Sequence, residues 1–141
     1  MSLVLDSSVA LAWAYGEEDS DILRRVFEQI SEKGASVPGL WRLEVGNVLE
    51  MAVRRGRITG ESQAAILADL ACLPISVDLE TDRQAWGATG RLAARHRLTL
   101  YDAAYLELAE RRQLPLATLD RDLYRAARAE NVPTCGAELL S

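Results

Sequence analysis

The feature that most constrains this chain is an alternation of short apolar runs, about three residues each, with longer segments of helical periodicity. Leu3-Val4-Leu5, Ala35-Ser36-Val37, Ile75-Ser76-Val77 and Leu116-Ala117-Thr118 read as strands, and a fifth is expected around Pro133-Thr134-Cys135. The first helix is capped by Ser7 or Ser8 and runs through Val9, Leu11, Ala12 and Trp13. A second spans Asp19 to Glu32, with Gly34 as its stop signal. Pro38 sits near the start of a third, which reaches about Arg55 and ends at Gly56. Further helices are predicted from Thr59 to Cys72, from Leu79 to His96, from Thr99 to Arg112, and after Asp120. Strands that alternate with helices pair in parallel and are covered on both faces. Ligands of such sheets sit at the carboxyl ends of the strands, so those ends are where functional residues are sought.

The 141 residues contain no internal repeat and no linker-like stretch, which predicts one domain over 1–141. No apolar run approaches the roughly 20 residues of a membrane span. The start, Met1 to Asp6, has no basic region before its apolar residues, so the expected location is the cytoplasm. Cys72 and Cys135 form no CxxC and are expected to be reduced and buried. The single histidine, His96, excludes a paired-histidine acid/base nuclease and is expected at the surface. A net charge of −5 is unusual for a nucleic-acid binder. All sixteen basic residues but Lys33 are arginine, a side chain suited to bidentate phosphate contact.

Four carboxylates carry the chemical argument. Asp6 follows the first strand and Asp120 the fourth, so parallel central strands would bring both to one sheet edge. Each equally suits a helix N-cap. Glu44 and Asn47 share a helical face with Leu40, Leu43, Val48 and Met51, where a carboxylate is costly unless something satisfies it. Val45, Leu49 and Val53 form a second apolar side, so Glu44 could lie at a boundary between two buried faces. Thr99-Leu100-Tyr101-Asp102 fits a capping box, a structural role that a carboxylate can combine with ligation.

Four acids at one sheet edge repel one another and raise one another's pKa values unless a cation lies among them. Hard oxygen donors select Mg²⁺ or Mn²⁺. Such an ion polarises a phosphoryl oxygen and activates water without a histidine base. It would also mask the acidic site from an anionic substrate.

At these positions the chain resembles the PIN-domain ribonucleases, in particular VapC-type toxins of toxin–antitoxin pairs. The resemblance rests on Val4-Leu5-Asp6-Ser7-Ser8, Leu43-Glu44-Val45-Gly46-Asn47, the segment from Leu98 to Ala109 containing Tyr101-Asp102-Ala103-Ala104, and Leu116-Ala117-Thr118-Leu119-Asp120. It implies a three-layer α/β/α sandwich around a mostly parallel five-stranded sheet. It further implies that Asp6, Glu44, Asp102 and Asp120 bind one or two Mg²⁺ or Mn²⁺ ions and hydrolyse RNA phosphodiesters through metal-activated water. Thr118 and Asn47 match supporting positions; Ser7 or Ser8 and Asp122 are further candidates, Asp122 also reading as a solvated first-turn residue. A homodimer and an antitoxin partner are likewise implied.

Beside a toxin, an RNA-processing PIN nuclease outside a toxin pair stays open, and other classes are weighed against both. A haloacid-dehalogenase-type phosphatase needs an Asp where Ser8 stands, and a receiver domain needs a late lysine that the chain lacks. No P-loop occurs. A catalytically silent binding module of the same fold would be expected to lose at least one acid, and all four are present. Arg54-Arg55-Arg57 and Arg91-Arg95-Arg97 are the densest basic clusters, yet no RNA path follows from them.

Overall fold

A computed structural model describes residues 2–16 and 21–136. Its elements are, in order, β1 (Leu3–Leu5), α1 (Ser7–Tyr15), α2 (Asp21–Lys33), β2 (Ala35–Val37), α3 (Trp41–Arg54), α4 (Gly60–Ala71), β3 (Ile75–Val77), α5 (Thr81–Gln84), α6 (Ala88–His96), α7 (Leu100–Arg112), β4 (Leu116–Ala117), α8 (Arg121–Ala129) and β5 (Thr134–Cys135). The predicted start of the second helix at Asp19 lies outside the described residues.

All five strands pair in parallel, in the order β3-β2-β1-β4-β5. The chain begins at the centre, moves outward through β2 to β3, then returns to the other side of β1 to place β4 and β5. The reversal falls between β1 and β4, and in open α/β sheets the crevice at such a point receives the ligand. β1, β2 and β4 are buried throughout, as expected of strands covered on both faces, while the edge strands β3 and β5 are more open. The expected α/β sandwich with a central parallel sheet is therefore the observed fold.

Gly34, between α2 and β2, adopts φ 78°, and a Cβ there would come within 3.1 Å of the Pro74 carbonyl oxygen. Glycine alone permits both the left-handed turn and that approach.

Two helix expectations are corrected. On α3 the buried side is Trp41, Val45, Leu49 and Ala52, whereas Leu43 and Val48 face outward at 79% and 40% exposure. Two apolar stripes were visible in the sequence, and the core, where α3 packs against α1 and α4, takes only one. The single helix expected from Leu79 to His96 is two, α5 and α6, broken at Ala85–Gly87. Gly87 leaves helical geometry with φ −106° and ψ −107°, and glycine weakens a helix interior. Trp86 is 96% exposed at this break. Trp13 stacks on Phe27 at 4.5 Å between ring centres, and Trp41 is buried.

The two cysteines are free thiols but not a buried pair: Cys72 is exposed and Cys135 half-buried. His96 is half-buried rather than superficial, with Nε2 2.7 Å from Glu130 Oε2. Among the described residues no helix is long and apolar enough to cross a membrane.

Candidate active site at the carboxyl edge of the sheet

Asp6 leaves the end of β1 with extended backbone (φ −73°, ψ 149°) at the N-cap position of α1. Its carboxylate makes no cap bond there. Instead Oδ2 accepts from Ser8 Oγ at 2.6 Å and from Thr118 Oγ1 at 2.8 Å, and the residue is only 3% exposed. The capping alternative for Asp6 thus fails. Burial pushes its pKa up to about 6; the two hydroxyls oppose the rise, and the charges of Glu44 and Asp102 add to it.

Thr118 ties β4 to the same point. Its fully buried hydroxyl donates to Asp6 and accepts from the Asp120 N–H at 3.0 Å. Ser8 makes a second strap, donating to Asp6 while accepting from the Leu119 N–H at 2.9 Å. These two side chains lock together the strand ends that flank the topological reversal. Asp120 caps α8, its Oδ1 accepting from the Leu123 N–H at 2.9 Å. One carboxylate oxygen is committed to that cap and the second is left for other work.

Asp102 enters on the first turn of α7, where Thr99 caps the helix by accepting from the Asp102 N–H at 3.1 Å. The cap holds the backbone and leaves the half-buried Asp102 carboxylate near the other acids. Its pKa is raised by burial first, then by Asp120 and Glu44; a hydrogen bond with Thr99 opposes, and Asp122 adds a smaller rise.

Glu44 reaches the cluster from α3, at the boundary between that helix's buried and exposed sides. Its Oε1 accepts from the Tyr105 hydroxyl at 2.8 Å. Tyr105 lies one turn beyond Asp102 on α7 and is fully buried. Burial, then the charges of Asp6 and Glu44, push the Tyr105 pKa far above its usual value, so it remains a hydrogen-bond donor. Ser7 hydrogen-bonds Tyr105 rather than Asp6, so Ser7 acts one step behind Glu44 and Ser8 is the serine that touches the first acid.

Tyr105 is the residue that sequence reasoning missed. The available signal was a tyrosine inside the apolar run Ala103–Ala109, since a buried phenol needs a partner for its hydroxyl. Asn47 and Asp122 stand further out. Asn47 is exposed and lines a neighbouring cleft with Tyr15, Val48 and Met51. Asp122 is exposed and pairs with Arg125 at 3.3 Å.

The four acids therefore share one electrostatic environment, and no cationic side chain figures among the leading influences on Asp6 or Asp102. Every donor is oxygen, which suits a hard divalent cation and excludes thiolate or imidazole ligation at this point. Among the described residues no three acids close tightly enough to grip a single ion by themselves.

Comparison with known proteins identifies the family. Residues 3–129 match the PIN domain family. Over 123 residues the chain is 32% identical to ribonuclease VapC3 of Pyrobaculum aerophilum, covering 87% of this chain and 92% of that protein. The crystal structure of PAE2754, also from Pyrobaculum aerophilum, superposes with a TM-score of 0.70 at 25% identity, covering 99% of this chain and 87% of the other. VapBC2 of Rickettsia felis, bound to a DNA fragment from its promoter, shares the fold at a TM-score of 0.68 and 10% identity, covering 95% of this chain and 97% of the other. FitAcB of Neisseria gonorrhoeae shares it at 0.64 and 13%, covering 95% and 96%. With the family match spanning residues 3–129 and a relative 32% identical over most of both chains, the chain belongs to the PIN-domain family, alongside VapC-type ribonucleases.

Proposed function

We propose that the chain is a metal-dependent endoribonuclease and the toxin of a type II toxin–antitoxin pair. The observation that carries this reading is Asp6: a carboxylate buried at the sheet's reversal point, near other acids and, among the described residues, without a cationic partner. In this reading Asp6, Glu44, Asp102 and Asp120 hold Mg²⁺ or Mn²⁺, directly or through water. The bound ion would polarise the scissile phosphate and lower the pKa of a water.

The protein's own side chains do the positioning. Ser8 and Thr118 fix the Asp6 carboxylate, and Tyr105, steadied by Ser7, fixes Glu44. The α8 cap fixes Asp120 and the Thr99 cap fixes the backbone that presents Asp102. Asn47 and Asp122 supply outer polar groups. Holding donors rigidly before the reaction removes reorganisation from the barrier. Two relations extend the reading: an antitoxin as partner, by analogy with the VapBC and FitAcB assemblies, and a homodimer of single-domain chains in the cytoplasm.

The test is cleavage of total cellular RNA by the purified full-length chain, with Mg²⁺ or Mn²⁺, then with EDTA. Discrete fragments that require metal and disappear in Asp6→Asn and Asp102→Asn are expected. Loss of several kcal/mol of metal-assisted stabilisation corresponds to a fall on the order of a thousandfold or more. Cleavage that persists at the wild-type rate would remove the substituted residue from the site. A folded, antitoxin-free chain that cuts nothing would instead be a binding module of the same fold.

A further inference from the structure

The net charge of −5 leaves open how this chain would hold a polyanion, and α8 offers an answer. The helix starts immediately after Asp120 and carries Arg121, Tyr124, Arg125 and Arg128 along an open cleft of about 390 Å³. At about 100° per residue these four positions fall within one side of the helix, and Arg121 to Arg128 spans about 10 Å. Two or three nucleotide steps of roughly 3.4 Å or more each would cover that distance.

The arginines of this row are poorly neutralised, unlike others in the molecule. Arg111 and Arg112 are locked onto Asp78, and Arg95 onto Glu130. On α8, Arg125 pairs with the exposed Asp122, an arrangement that contributes little and yields to a phosphate. Among the described residues Arg121 has no carboxylate partner. Arg128 donates to the Tyr124 hydroxyl at 3.0 Å, and its guanidinium stands 5.9 Å from the ring centre. A ring backed by a guanidinium is a surface on which a base can stack.

We propose that this face of α8 is the binding site for the single-stranded RNA segment flanking the cleaved bond. Arg121, Arg125 and Arg128 contact successive phosphates, and Tyr124 stacks a base. The helix that presents Asp120 to the acid cluster thereby also aligns the strand entering or leaving it. This inference rests on the ribonuclease reading above.

Binding of a fluorescein-labelled single-stranded RNA in EDTA, followed by anisotropy across a salt series, tests it in the full-length chain. For R121A/R125A/R128A the expected result is at least a tenfold rise in Kd. The slope of log K against log salt should also fall by about 2, three contacts at roughly 0.7 each. R125A alone should lower that slope by about 0.7, and Y124A should weaken binding about fivefold or more with the slope unchanged. With Mg²⁺ present, KM should rise in the triple variant while kcat at saturation stays close to wild type. The control R24A/R25A/K33A removes equal charge from α2 and should behave as wild type. Wild-type binding by R121A/R125A/R128A, or an equal loss in the control, overturns the proposal. RNA binding that depends on α8 in a chain that never cleaves would sustain this site while sinking the nuclease reading; cleavage with unchanged KM in the triple variant would do the reverse.

Discussion

Among the described residues two clusters of buried acid are built on opposite terms. At the reversal point of the sheet, Asp6 lies near Glu44 and Asp102 and, among the described residues, is steadied by the neutral hydroxyls of Ser8 and Thr118. At the end of β3, Asp78 is fully buried as well, yet Arg111 grips both its oxygens at 3.2 and 2.6 Å and Arg112 adds a third bond at 3.0 Å. Arg111 also binds the buried Glu107 through Nε at 2.7 Å, and the Glu80 N–H donates to Asp78. Burial raises the Asp78 pKa, but the arginines and that N–H outweigh it and leave the carboxyl below its usual value. Asp6 ends well above its own. A compensated acid is part of the scaffold, whereas an uncompensated one stores electrostatic cost that a cation can relieve. Position at a strand end does not separate the two; the presence of a guanidinium does.

Removing compensation should have the largest effect. Arg111→Met strands Asp78 and Glu107 without their shared partner, and breaking a buried pair in this way costs about 3–5 kcal/mol. Urea denaturation would read this as a matching loss of unfolding free energy. A midpoint equal to wild type would mean that Arg112 alone suffices and that the contrast between the clusters is overstated.

The opposite sign is expected at Asp6. Its pKa rises from 3.8 to about 6 on folding, so the folded chain binds the proton more tightly. The associated stability is present below pH 3.8 and is lost as pH climbs through about 6. Asp6→Asn removes that penalty, so in EDTA at pH 7.5 the variant should be more stable than wild type. The ceiling is about 3 kcal/mol, from roughly two pKa units at 1.36 kcal/mol each. The advantage should shrink as pH falls from 6 toward 4. Destabilisation at pH 7.5 would show that the hydroxyl straps outweigh the repulsion.

A somewhat smaller effect, about 2.7 kcal/mol at a hundredfold excess over Kd, should come from Mg²⁺ stabilising the wild-type fold. Thermal midpoints with Mg²⁺ and then EDTA measure it. Asp6→Asn should lose most of this increment, while Arg111→Met should keep it. Equal Mg²⁺ stabilisation of wild type and Asp6→Asn would place the ion elsewhere.

Much of the fold was legible in the chain because its signals are local. Three-residue apolar runs between helical segments specify parallel pairing, Gly34 and Gly56 close helices, and Thr99 caps α7 within four residues of sequence. What failed was also physical. Periodicity shows that α3 has two apolar sides but not which one enters the core, and it runs through Gly87 although the helix does not.

The sequence by itself determined which residues carry negative charge at or near strand and helix ends, and their order and spacing were enough to suggest the family. Only the tertiary structure decided that Asp6 does not cap its helix and that Tyr105 orients Glu44. It also decided that Asp78, another acid following a strand, is neutralised from α7, thirty-three residues away. The reason is that a carboxylate's role depends on what surrounds it, and those neighbours come from segments far apart in the chain.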